Sequence, residues 1–277
     1  MRMTEYPEAS SIAAEDVLII DGQDGNRKLP ASKALEPLLK HGTKTNGHRV
    51  IPECNFLGNT ITEAQAQAIY DGSFDGLHVG DYWTISGHNW RIWDFDYWLN
   101  ESGTVTHHIV VLPDDCLYDA KMEDTNITTN GYAGSKMNTT YLASAKSLIN
   151  SIFGDLIFTH GEFLTNASNN GVASGYINVE CEIGIPQETM LFGCRLISSS
   201  MPTGTNTPRD YDKGHNQLLL AKLMPEFVNI NHTMWLRDIN SAANFSMLSA
   251  NGYVMTYGAS NSFGVRPYFG VKGRIAG

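Results

Sequence analysis

Histidines, cysteines and paired carboxylates are the residues of this chain that could do chemistry, and their spacing narrows what that chemistry is. His107 and His108 are adjacent, so on a strand they project to opposite faces and do not readily share one ion. His160-Gly-Glu162 sets an imidazole two residues from a carboxylate; the pair is read as ordinary polar or core residues rather than metal ligands. Asp94, Asp96, Asp114 and Asp115 gather acid in sequence, as a calcium loop does or as a solvated loop does, and the solvated loop is preferred. Cys54, Cys116, Cys181 and Cys194 lie far apart with no Cys-x-x-Cys motif, the pattern of isolated thiols rather than of a disulfide or metal framework. Gly171-Val-Ala-Ser-Gly175 misses the spacing of the Gly-x-Ser-x-Gly nucleophile elbow. The expectation is a protein without catalytic residues, metal or cofactor.

Binding chemistry is better supported than catalysis. From Trp235 to Phe269 the chain opens and closes on apolar anchors, Trp235 and Leu236 at one end, Val265, Tyr268 and Phe269 at the other. Between them stand Asn, Ser, Ala, Gly, Tyr, Met and Thr. Tyrosine offers contact area at low entropy cost, and Ser, Asn and Gly adapt their hydrogen bonds, so this is the composition of a recognition surface. Asn251-Gly252 predicts a tight type I′ turn, which needs positive φ at both central residues. Asn244–Leu248 and Tyr253–Tyr257 then form a hairpin, in which a slip of one residue would exchange the two faces. Trp235, Leu236, Phe245, Val265 and Phe269 are assigned to the core. Arg266, held extended by Pro267, is expected to pair with an internal carboxylate such as Asp238.

The elements that must position this stretch are short. Asp16–Asp21 reads as a strand, Gly22–Gly25 as its turn and Arg27–Leu29 as the return strand, with a short helix starting at Pro30. His41–His48 is polar and glycine-bearing, a linker by composition. Thr62 with Gln65 makes a capping box before a helix to Tyr70, with Gly72 as stop. Gly80–Ile85, Trp90–Phe95 and His107–Leu112 are strands by β-propensity. Tyr141, Ala145, Leu148, Ile149 and Ile152 recur at helical spacing up to Gly154. Beyond it, short elements are expected at 177–183, 186–192 and 216–224, separated by loops that include 201–208.

Composition bounds the rest. At 277 residues, 42% of them hydrophobic, the chain carries one large domain and a small one, given about 100–200 residues per domain. A net charge of -10 disfavours nucleic acid, which demands a basic footprint. No apolar run reaches the roughly 20 residues of a membrane span. The first residues lack the apolar segment of a signal peptide, so synthesis in a bacterial cytoplasm is expected. Some forty N-terminal residues bury too little surface to be stable alone and need something to dock on.

The C-terminal stretch resembles the variable region of phage and prophage proteins diversified by reverse-transcriptase retroelements and displayed on C-type-lectin-like (formylglycine-generating-enzyme-like) folds. The match is carried by Trp235-Leu-Arg-Asp238, Ser241-Ala-Ala-Asn-Phe245, Asn251-Gly252, Ala259-Ser-Asn-Ser262 and Gly264-Val-Arg-Pro267. Upstream, Gly131-Tyr-Ala-Gly-Ser-Lys-Met137 and Phe153–His160 are similar to the centre of the same proteins, so the resemblance covers residues 50 to 270. It implies an α+β chain: a C-type-lectin-like domain over 46–277, with a small twisted antiparallel sheet, two main helices and much ordered loop, preceded by an N-terminal β/α anchoring module over 1–45. It implies a variable region at 238–264, whose ligand-facing positions project onto Asn244, Met247, Ser249, Ala250, Tyr253, Met255, Thr256, Tyr257 and Phe263.

The function implied is that of a virion protein, of tail, baseplate or head fibre, binding a host-cell surface protein or glycan. Other virion proteins would be met through the N-terminal module, and a homo-oligomer, in particular a trimer, is expected. The Glu-Pro-Asn and Trp-Asn-Asp signature of calcium-dependent lectins is missing, as is the paired-cysteine motif of oxygen-dependent formylglycine-generating enzymes. The alternatives are a purely structural capsid or baseplate decoration protein and a formylglycine-generating-enzyme-like catalyst. An unperturbed Cys181 and Cys194 with no pocket nearby would argue against the catalyst.

Overall fold

Local signals fix the first elements. In the computed structural model, which describes residues 49–98, 106–165, 168–169, 172–173, 176–198 and 217–275 and the strands at 17–20, 27–30 and 43–46, β1 (Val17–Ile20) pairs antiparallel with β2 (Arg27–Pro30), as expected. The helix expected from Pro30 and the loop at 201–208 lie outside the described residues. Where a linker was expected at 41–48, β3 (Thr43–Asn46) pairs with β4 (Arg49–Pro52). The β-branched Thr43, Thr45, Val50 and Ile51 favour pairing over a free linker. Helix α1 (Glu63–Tyr70) carries the capping box: Gln65 N donates to Thr62 Oγ1 and Thr62 N to Gln65 Oε1. Gly72, with φ of 66°, turns the chain out of it.

Two sheets follow. In the first, β5 (Tyr82–Ile85), β6 (His88–Phe95), β7 (His108–Pro113) and β19 (Tyr268–Lys272) are antiparallel neighbours. β9 (Ile157–Phe158) and β14 (Ile183–Gly184) share the remaining edge of β19. The second runs β17 (Val254–Gly258), β16 (Asn244–Leu248), β15 (Met234–Ile239), β18 (Ser262–Val265) and β8 (Tyr118–Lys121), with one parallel pair, β15 and β18. An arm, β10 (His160–Thr165) with β13 (Tyr176–Cys181), leaves the first sheet and carries the small pair β11 (Ser168–Asn169) and β12 (Val172–Ala173). The architecture is α+β, mostly antiparallel with few helices.

Alternation along the strands builds two cores. Ile109, Val111, Phe269 and Val271 turn to one side, with Trp83, Trp90, Ile92, Trp235 and Phe245. Val110, Leu112 and Tyr268 turn to the other, with Trp93, Met234, Leu236 and Leu248. The hairpin at 80–95 and the C-terminal stretch therefore share one core, as expected. Helix α2 (Ala143–Phe153) covers the first side through Ala145, Ile149 and Phe153 and stops at Gly154, while α3 (Glu188–Phe192) and α4 (Leu219–Leu223) cover the second. Each fully buried Leu or Phe contributes about 1.5–3 kcal/mol, so these central strands dominate stability.

The chemistry-bearing residues of the sequence mostly became structural. A register shift in β6 between Ile92 and Asp94 aims Asp94 at α4, where its carboxylate accepts from Phe95 N (2.8 Å) and Leu219 N (2.9 Å). Burial, offset in part by these bonds, raises its pKa to about 7. Asp96 accepts from His107 and from His108 N, and Asp114 takes the Arg91 guanidinium. These three carboxylates are thus spread over separate partners, and Asp94 is buried, unlike the residue of a solvated loop that was expected. Arg266 departs from expectation. It is fully buried and donates to the carbonyls of Pro113 (2.8 Å) and Phe227 (2.9 Å) with its guanidinium over the Trp93 ring. Asp238 instead accepts from Glu188 N (2.7 Å) at the start of α3.

Candidate functional site

Two places combine reactive or recognition-type side chains. The first is the β16–β17 hairpin. Its turn differs from the type I′ expectation: of Asn251 and Gly252 only the glycine has positive φ, 84°, and Gly252 N donates to Ser249 O (2.9 Å). Ala250 and Asn251 are the central residues, followed by a left-handed glycine, the geometry of a longer bulged hairpin loop. Register pairs Phe245 with Tyr257 and Met247 with Met255, so all four point to one face. Ser246 and Thr256, and with them Asn244, lie on the other.

Exposure then separates the projected positions. Tyr253, Met255 and Tyr257 are 68%, 47% and 45% exposed, because β17 is the outer strand and the core ends beneath β16. Met247 is 5% exposed in the core; its expected place on an accessible face is corrected. Asn244, Ser249, Ala250, Thr256 and Phe263 are half-buried. Asn244 and Thr256 face away from the tyrosines, so the projected set does not form one face. Phe263 bridges core and surface, its ring 4.8 Å from that of Trp235 and 5.3 Å from that of Tyr257. Both ends of β17 are pinned: Ala250 N donates to Thr233 Oγ1, Ala259 N to Ala243 O, and Ser260 N and Oγ to Asn126 Oδ1. The strand is held while Tyr253, Met255 and Tyr257 stay open to solvent.

The second place was not legible as a site. Glu162 on β10 is buried and accepts from Arg237 Nη1, from Tyr268 Oη (2.6 Å) and from Trp98 Nε1 (3.2 Å). His160 Nε2 lies 3.2 Å from the same carboxylate. Burial pushes the Glu162 carboxyl up, but the Arg237 guanidinium, with His160 and Tyr268, outweighs it and holds the group well below the usual range. The Cys181 sulfur sits 3.8 Å from Tyr268 Oη, and burial raises its pKa to about 12. Among the described residues His160, Glu162 and Cys181 form the one group of three donors close enough to surround an ion, all within 4.8 Å.

Cys181 also borders a cavity of ≈ 440 Å³ between α2 and the arm, lined by Asn138, Lys146, Leu164, Val179 and Glu180 among others. The thiol is therefore perturbed and has a pocket beside it. The condition set for discarding a catalyst is not met, although an upward shift keeps the thiol protonated and weakly nucleophilic. The clue in the sequence was a charged residue inside strand-like apolar runs, Glu162 before Phe163-Leu164 and Arg237 after Trp235-Leu236. Its partners come from four separate segments, which spacing does not reveal. No helix among the described residues is long and apolar enough to cross a membrane. Compared with protein-family models, curated proteins and solved structures, the chain matches none.

Proposed function

We propose that this chain is a non-enzymatic virion protein whose C-type-lectin-like domain presents the outer strand β17 to a host-cell surface protein or glycan. The observation that carries the reading is the cluster of Tyr253, Met255 and Tyr257, exposed together on a strand whose two ends are fixed. Exposed aromatic residues grouped on a rigid frame supply binding energy at small ordering cost. Phe263 packs against Tyr257, and Ser249 Oγ accepts from Tyr253 N. Met247, the cross-strand partner of Met255, adjoins the cluster in the core.

Other parts of the reading rest on the resemblance: attachment to the particle through residues 1–45, assembly as a trimer, and avidity from many copies that offsets weak single sites. The test is adsorption of the fluorescently labelled full chain to cells of the source bacterium. Saturable adsorption that unlabelled chain displaces supports a receptor-binding role. Absence of adsorption, with incorporation into particles, would replace it with the decoration-protein alternative. A reverse-transcriptase gene beside a near-copy of the segment encoding 240–264, differing at adenines, would show that the surface is diversified.

A further inference from the structure

The two ring nitrogens of His160 each face a group that only accepts. Nδ1 lies 3.3 Å from the Phe158 carbonyl oxygen and Nε2 lies 3.2 Å from Glu162 Oε1. A neutral imidazole has one N–H, so one of the two nitrogens keeps a lone pair that can serve as a ligand. Trp98 stacks on the ring at a centroid distance of 3.5 Å and His160 is buried, so the ring is held in place. The donor atoms of His160, Glu162 and Cys181 all lie within 4.8 Å of one another.

We propose that His160 Nε2, Glu162 Oε1 and Cys181 Sγ form a site for a borderline-soft divalent metal ion of the zinc class. Nitrogen, oxygen and sulfur donors in a set of three suit such an ion, with a fourth position left open. Of the three, Cys181 also lines the cavity between α2 and the arm. Partners behind the ligands are those a metal site uses to orient them. With Nδ1–H donating to Phe158 O, His160 would present Nε2 as the ligand; Arg237 holds Glu162 Oε2, Trp98 Nε1 donates to Oε1, and the single Tyr268 hydroxyl proton has both oxygens at 2.6 Å.

The thiol gives up its proton when it ligates, so thiolate and carboxylate together match the charge of a divalent ion. The ion would tie β10 to β13 within the arm, and its binding energy would add to folding stability. This inference is independent of the surface at β17.

The test uses the full chain, stripped with a chelator and titrated with Co²⁺. A thiolate-to-cobalt charge-transfer absorption that saturates at one ion per chain, is displaced by Zn²⁺ and accompanies a rise in Tm is the expected result. Cys181→Ser should remove the absorption, His160→Gln should weaken binding at least about 10-fold, and Cys194→Ser should change neither. A folded wild-type chain that shows no such absorption overturns the proposal, and this needs no variant to fold. So does an absorption that persists in Cys181→Ser.

Discussion

Tyr257 and Tyr268 belong to the same C-terminal run and do opposite work. Tyr268 is fully buried, its hydroxyl locked between Glu162 and Arg237 and its ring in the second core. Tyr257 stands on the outer strand with one ring contact, to Phe263, and nearly half its surface open. Residue type is the same and the strands are of similar length, so position in the sheet order decides. β19 is flanked on both edges and covered on both faces; β17 is flanked on one edge, and the cover runs out beneath it. The two strands lie in different sheets, so the outer strand of one can be changed without disturbing the centre of the other, which is what a display surface requires.

The comparison breaks most visibly at the centre. Arg237→Ala leaves the Glu162 carboxylate buried without its cation and should cost about 3–5 kcal/mol, read as a large fall in denaturation midpoint. A cost below about 1 kcal/mol would mean that the network is not holding the arm to the sheet. Phe245→Ala should lose about 3–5 kcal/mol as a buried aromatic. Its direct cross-strand partner changed as Tyr257→Ala should lose under about 1 kcal/mol. Equal losses from the two would abolish the distinction between strands β16 and β17.

Asp94 sharpens the contrast through pH. Its folded pKa of about 7 lies above the unfolded carboxylate value. Its contribution is therefore fully present below the unfolded pKa and is lost as pH rises through about 7. Wild type should lose on the order of 3 kcal/mol relative to Asp94→Asn between pH 4 and pH 8. Parallel stability curves for the two proteins would contradict this. Phe95 N and Leu219 N bond different oxygens of Asp94, so the asparagine keeps an acceptor for only one of them; that loss does not vary with pH, and the pH dependence of the difference reports the charge.

How much of this was legible follows from the range of each interaction. The capping box of Thr62 and Gln65, the stop at Gly154 and the pairing of β1 with β2 are set by neighbours within a few residues, and sequence shows them directly. The β16–β17 hairpin was legible, but its turn was not. Asn-Gly fits two hairpin loops, and the contacts of Ala250 with Thr233 and of Tyr253 N with Ser249 Oγ select the longer one. Alternation likewise fails to separate Met247 from Met255, since both point to one face and only the extent of the core beneath distinguishes them. Arg266 found carbonyls rather than Asp238 because Pro113, Phe227 and Val228 are brought to it from distant segments. The His160–Glu162–Cys181–Arg237–Tyr268 cluster lies at the same limit of tertiary assembly.

The central claim is that recognition and folding are separable at β17, and the Tyr253→Ala/Tyr257→Ala double variant tests it most directly. Thermal unfolding and adsorption to host cells should be measured on the same preparation of full chain. The account predicts a loss of no more than about 0.5 kcal/mol per substitution together with loss of adsorption. A double variant that unfolds, or one that folds and adsorbs as wild type does, would contradict it.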